Sequence, residues 1–245
     1  MKKDSPSVYR SELLAGVPHL VHGFSTAQSG DMKDPVILRA FIQSFGLPVD
    51  SYIWMDQIHG NRICDISEGH RGNAVTGYDG IVYTHSSSGR HPTLCVHVAD
   101  CTPILAVDPS ERIIGVAHAG WAGTVGHIAG NLMRAMKKNG AHPSDILVCL
   151  GPHIGPCCYA VDSERADRFI NEFGKSGVVT QKGNTKYADI GLASYLDILG
   201  EGIPGDHIDF DRTVCTQCTG NEFFSYRRSG RAGLRELAGI IAWAD

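Results

Sequence analysis

The runs PILAVD and RIIGVAHA, joined through the polar segment DPSER, constrain the fold of this chain more than any other stretch. Each is apolar over about one strand's length, and Pro109 and Ser110 sit where a turn wants them, so the two predict an antiparallel hairpin. A hairpin brings the residue entering its first strand and the residue leaving its second to the same end of a sheet. Those two residues are Cys101 and His118, and both side chains are reactive.

IVYTH, TLCVHVAD and DILVCLGP are further short runs rich in Val, Ile and Leu, bounded by Gly, Pro, Asp or Ser, which is the pattern of buried strands. Helical periodicity alternates with them. Between Thr124 and Asn139, Ile128, Leu132, Ala135 and Met136 share one face, Lys137 and Lys138 suit the last turn, and Gly140 suits the stop. VDSERADRFINEFG predicts a second helix, capped by Asp162 and ended by Gly174, and DIGLASYLDILGEG a third. No linker, repeat or low-complexity tract intervenes, so residues 1–245 are expected to form a single α/β domain.

Of the 245 residues 42% are hydrophobic, enough for a substantial core. A formal charge of −4 and the lack of any basic run argue against nucleic acid and anionic membranes as partners and favour a small molecule. MKKDSPSVYR turns polar at once, and no apolar run approaches the ~18 residues that span a bilayer, so the expected address is cytoplasmic. The eight cysteines are expected to be reduced, some buried and some ligands. Neither composition nor motif specifies an oligomeric state.

A thiolate and an imidazole are both good ligands for Zn²⁺, and a third ligand would leave one position for water or substrate. The best candidate is His59 in WMDQIHGN, although a loop histidine beside Gly60 and Asn61 also suits a plain polar or capping role, and Cys101 alone suits a packed core thiol. Asp56, Asp79 and Asp100 lie near these residues, where a carboxylate can orient a ligand histidine or carry a proton. Asp100 alternates away from Cys101, which favours a structural hydrogen bond for it. Arg227 and Arg228 in SYRRSGR, with Arg231, form the tightest arginine cluster, suited to phosphate or simply to a solvated turn. The glycine-rich HAGWAGT opens the Thr124 helix, so its amides are anion-binding candidates, and Trp121 is a candidate for stacking on a base or for packing. CTQC, from Cys215 to Cys218, has knuckle spacing but no matching second pair. The adjacent Cys157 and Cys158 are not expected to share one ion, and Cys95 and Cys149 are expected to be buried in strands.

In this order, QIHGN, VADCTPILAV, GVAHAGWAGTVGHI, GPHIGPCCYAV and FFSYRRSG resemble the YfiH family, also called the multicopper polyphenol oxidase or laccase-domain family, from about His22 to Trp243. The resemblance implies a layered sandwich of mixed β-sheets flanked by helices. It also implies a metal centre and catalytic site carried by His59, Cys101 and His118. For function it implies phosphorolysis of adenosine, inosine or methylthioadenosine to free base and ribose 1-phosphate, with adenosine deamination as a further activity, so that purine nucleoside and phosphate are the expected partners. Older family descriptions imply a copper-dependent laccase, and bacterial members are linked to peptidoglycan editing.

A multicopper relay needs many grouped histidines, whereas the twelve here are scattered without a His-x-His pair, so Zn²⁺ is the expected ion and copper the alternative. A cysteine hydrolase with Cys101 as nucleophile and a nucleoside-binding protein without turnover remain further readings. Two departures bear on the reaction. Many relatives carry a basic residue after the tryptophan, where this chain has Ala122, and AGLRE replaces their TGR after the FSYRR segment, leaving Arg231 or Arg235 in its place.

Overall fold

The structure, a computed structural model, describes residues 1–66, 73–85, 91–174 and 177–244. Thr102–Asp108 and Ile113–Ala119 form the expected antiparallel hairpin, with Thr102 opposite Ala119 and Pro103 opposite His118. Every residue of both strands is buried, and their side chains alternate between two cores with the period of two that a strand imposes. Leu105, Val107, Ile114 and Val116 point one way, into a core shared with Leu94, Val96, Val98 and Ile241. Ile104, Ala106, Ile113 and Ala117 point the other way, onto Ile128, Leu132, Met136 and Ile198.

That alternation builds the layers. In the described residues the hairpin belongs to a six-stranded sheet, whose spatial order is Ile208–Phe210, Leu147–Leu150, Thr102–Asp108, Ile113–Ala119, Gly80–Thr84 and Ile63–Asp65. Facing it lies a seven-stranded sheet in which Leu237–Trp243 runs between Leu20–Ser25 and Thr93–Val98, and Tyr52–Asp56 pairs in parallel with Thr93–Val98. Helices Ile128–Lys138 and Ile190–Gly200 cover the outer face of the first sheet. Helix Pro35–Gln43 covers the outer face of the second through Leu38, Phe41 and Ile42. A small sheet of Ala160–Val161, Thr185–Ala188 and Val179–Lys182 packs beside helix Ser163–Phe173. No described helix is long and apolar enough to cross a membrane.

Two of the three expected helices form as read. Asp162 accepts from the Arg165 amide at 2.7 Å, Gly174 ends that helix at φ +69°, and Asp189 caps the next by accepting from Leu192. The helix expected from Thr124 to Asn139 is instead two, Trp121–Val125 and Ile128–Lys138. The break lies at His127, whose backbone is left-handed at φ +62°. Its ring is held between Asp197 at 2.9 Å and Glu172 at 3.3 Å, so tertiary ion pairing overrides the continuous periodicity.

Candidate metal centre

The hairpin's open end, the start of Gly80–Thr84 and the loop after Tyr52–Asp56 converge at one edge of the sandwich. There the ligand atoms of His59, Cys101 and His118 all lie within 4.8 Å of one another. His118 shares the inter-sheet side of Val116 by strand alternation, and Cys101 packs against the same core. The rings of His59 and His118 meet edge to face, with centroids 4.7 Å apart.

Asp79, which is fully buried, organises two of the three residues. Its carboxylate accepts the backbone amides of Ile58, His59 and Gly60 at 3.2, 2.9 and 2.7 Å, and its Oδ1 lies 2.9 Å from Nδ1 of His118. Three consecutive amides converging on one carboxylate hold the 58–60 loop in place, with His59 at φ +60°. The bond to His118 leaves its Nε2 for the cluster and fixes the ring's tautomer. Two glycines allow the close approach. A Cβ on Gly120 would stand 3.1 Å from the His59 ring and 3.2 Å from the Cys101 sulfur, and one on Gly123 would meet the Gly60 carbonyl oxygen at 2.5 Å.

Charge at the cluster follows from these contacts. Burial pushes the Cys101 thiol up, but His118 beside it and hydrogen bonds from His118 and His59 outweigh that and hold it at about 7. Burial pushes the His118 imidazole down, whereas Cys101 and Asp79 draw it up to about 10. Asp79 is itself held below the usual carboxylate range, since its bonds to His118 and to the loop amides outweigh its burial. These contacts favour the thiolate of Cys101, the form in which a cation can replace a proton.

The three residues open onto a cavity of about 910 Å³. One wall comes from the seven-stranded sheet and its helix, with Met32, Leu38, Trp54 and His97. Burial holds His97 at about 4, so it faces the cavity as a neutral ring. Trp121, Tyr159, Arg165, Arg227 and Arg231 also line the cavity, together with Lys33, Asp56 and Glu236.

Arg165 is the residue that sequence reading missed. It stands at the third position of an amphipathic helix, and no local signal distinguishes it from a solvated arginine. In the fold its guanidinium lies 4.4 Å from the Trp121 ring centroid, so a cation does lie beside the tryptophan that Ala122 follows.

The other expected residues divide. Arg227 lines the cavity, its guanidinium over Tyr159 and bonded to the Ala160 carbonyl at 3.1 Å. Arg228 does not line it: its guanidinium grips the carbonyls of Thr216, Gln217 and Phe223, which makes it a loop anchor. Arg235 lies over Phe224. Trp121 faces the cavity with Arg165 over its ring. Asp56 lines the cavity, and Asp100, at φ +90°, uses its carboxylate on Thr216, Ser225 and the Arg227 amide at 2.6 to 3.0 Å. Cys95 and Cys149 are fully buried in strands. The reading that CTQC lacks a matching second pair is corrected: Cys157 and Cys158 lie beside it. The sulfurs of Cys157, Cys158, Cys215 and Cys218 also lie within 4.8 Å of one another, because the 155–159 turn folds against the 215–219 turn.

Comparison with known proteins agrees with this architecture. The family model described as multi-copper polyphenol oxidoreductase laccase matches residues 25–243. A protein named purine nucleoside phosphorylase YlmD, from Geobacillus stearothermophilus, is 32% identical, the match covering 96% of this chain and 97% of that one. A protein named adenosine deaminase RL5, from an unknown prokaryotic organism, is 31% identical, with 80% of this chain and 76% of that one covered. The crystal structure of YlmD from Geobacillus stearothermophilus superposes with a TM-score of 0.86 at 28% identity, covering 100% of this chain and 98% of that one. With the same layers and a match along nearly its whole length, this chain belongs to the multi-copper polyphenol oxidoreductase laccase family.

Proposed function

We propose that this protein is a zinc-dependent purine nucleoside phosphorylase. It converts adenosine, inosine or methylthioadenosine, with phosphate, to free base and ribose 1-phosphate, and deaminates adenosine in the same site. The observation that carries the reading is one cavity lined by the His59, Cys101 and His118 cluster, by aromatic and apolar side chains and by three arginines, Arg165, Arg227 and Arg231. A purine suits the aromatic and apolar lining and a phosphate the arginines. The names of the two relatives support both reactions.

His59, Cys101 and His118 would hold Zn²⁺: the donor set suits a borderline-soft ion, and the space among them is one that a Cβ at Gly120 would fill. When bound, the ion supplies Lewis acidity and a fixed positive charge beside the reacting group. Asp79 keeps the His118 proton on Nδ1, which turns Nε2 toward the cluster. Arg165, Arg227 and Arg231 neutralise and orient phosphate, one oxygen of which bonds to the ribose C1′ as the bond to the purine breaks and the departing base takes a proton. Trp54, Met32 and Leu38 exclude water from the base. The site is read as cytoplasmic, where the thiols stay reduced.

The paired Cys101 thiolate and His118 imidazolium favour one second reading, a cysteine hydrolase. Product analysis separates the two: adenosine and inosine are incubated with the enzyme and with His118→Ala, with and without phosphate. Free base that needs phosphate and the intact enzyme supports phosphorolysis, and inosine formed from adenosine without phosphate supports deamination. No conversion of either nucleoside, with turnover elsewhere that survives chelation and is lost to alkylation, would favour the hydrolase.

A further inference from the structure

We propose that Cys157, Cys158, Cys215 and Cys218 bind a second metal ion, a structural Zn²⁺ held by four thiolates, which ties the 155–159 turn to the 215–219 turn behind the cavity. All four cysteines are free, and their sulfurs lie within 4.8 Å of one another. Cys157 and Cys218 are 3.7 Å apart, sulfur to sulfur. A disulfide requires about 2.05 Å. Zn–S bonds of about 2.3 Å in a tetrahedron put the sulfurs about 3.8 Å apart, close to the Cys157–Cys218 separation and within the 4.8 Å that bounds the others.

The backbone around the cluster has the features of a thiolate site. Cys215 and Cys218 are separated by two residues on a tight turn, where the Thr219 amide and hydroxyl both donate to the Cys215 carbonyl, at 3.1 and 2.7 Å. The Cys215 sulfur accepts the Gly155 amide at 3.2 Å and the Cys218 amide as well, the kind of N–H···S bonding that steadies a ligating thiolate. Four thiolates around Zn²⁺ carry a net charge of −2, and the Arg228 guanidinium grips the intervening turn through the Thr216 and Gln217 carbonyls at 2.9 and 3.0 Å.

The site would bear on the cavity without entering it. Thr216, inside the knuckle, donates to Asp100 at 2.6 Å, and Asp100 also holds the Arg227 amide and directly precedes Cys101. The ion therefore fixes the turn on which both Arg227 and the approach to Cys101 lean.

The test is zinc per chain in protein purified without chelators, measured by plasma mass spectrometry on wild type, on Cys101→Ala/His118→Ala and on Cys157→Ser/Cys218→Ser. Two ions are expected in wild type, with one lost in each double variant. Cobalt-loaded Cys101→Ala/His118→Ala protein should keep the intense absorption of a tetrahedral thiolate site, and Cys157→Ser/Cys218→Ser should lose it. Should either variant fold poorly, zinc-edge X-ray absorption of wild type decides, with about 2.5 sulfurs per zinc expected against one if only the His59 centre is filled. Only one ion in wild type, retained undiminished in Cys101→Ala/His118→Ala, would sink the His59 reading and leave this one standing. No zinc in that variant, or a Cys157–Cys218 disulfide in freshly purified wild type, overturns the proposal.

Discussion

His59, Cys101 and His118 face a cavity of about 910 Å³, and a buried carboxylate holds the two histidines, whereas no sulfur of the four-cysteine cluster lines that cavity and the Gly155 amide bonds to one of them. Both clusters gather ligand atoms within 4.8 Å. The first mixes imidazole with thiolate, has three donors and leaves a side open to substrate-sized space. The second has four donors of one kind on two turns, which suits closure. Ligand proximity alone thus says little about chemistry. The open side and the acid that orients a histidine are what distinguish a reactive centre from a clamp.

The largest contrast should come from removing one ligand at each place. His118→Ala is expected to lower kcat/KM for inosine phosphorolysis by roughly 10³-fold or more, the scale of losing a group that stabilises developing charge. Steady-state assays of folded protein retaining more than a tenth of wild-type turnover would contradict the metal-centre reading. Almost as large is the expected difference in thiol reactivity once metal is stripped. Thiolate forms as pH rises, so Cys101, held at about 7, should react with iodoacetamide along a curve centred there and slow as pH falls below it. Burial, with Cys215 beside it, pushes Cys158 up to about 11. At pH 8 the thiolate fractions differ by roughly three orders of magnitude, and peptide mapping over pH 6 to 9 reads the two rates side by side.

Asp79→Asn keeps the shape but removes the charge that holds three amides and the His118 ring. Zinc affinity and turnover should fall about 10- to 100-fold, measured by competition with a chromogenic chelator alongside kinetics, and unchanged affinity would reduce Asp79 to a loop anchor. The smallest effect is expected from Gly120→Ala. Its φ of −75° accepts alanine, so thermal stability should hold while the new Cβ crowds His59 and Cys101 and weakens zinc binding by up to about tenfold. The same substitution should leave any zinc at Cys157 and Cys218 in place.

Much of the architecture was legible because the relevant signals are local. The continuous apolar runs PILAVD and RIIGVAHA, with Pro109 at the turn, specify a hairpin, and Asp162, Gly174 and Asp189 mark helix ends through bonds made within a few residues. Cys101 and His118 were expected at one end of the hairpin, where the structure has them, whereas the choice of His59 as their companion came from the resemblance of QIHGN to the family's motif. Arg228 was misread because adjacency to Arg227 says nothing of direction: one side chain lines the cavity, and its neighbour turns back onto three carbonyls.

The hairpin and the helix caps follow from residue order, since each rests on interactions between near neighbours, while His59, Cys101 and His118 were singled out by their match to the family's motifs. Four things depended on how distant segments pack: the break at His127, the cation that Arg165 places over Trp121, the joining of Cys157 and Cys158 to the CTQC turn, and the carboxylate of Asp79 gathering the His59 loop. Each is a contact between segments far apart in the chain, where periodicity and propensity carry no information and only the shape of the assembled layers selects the partner.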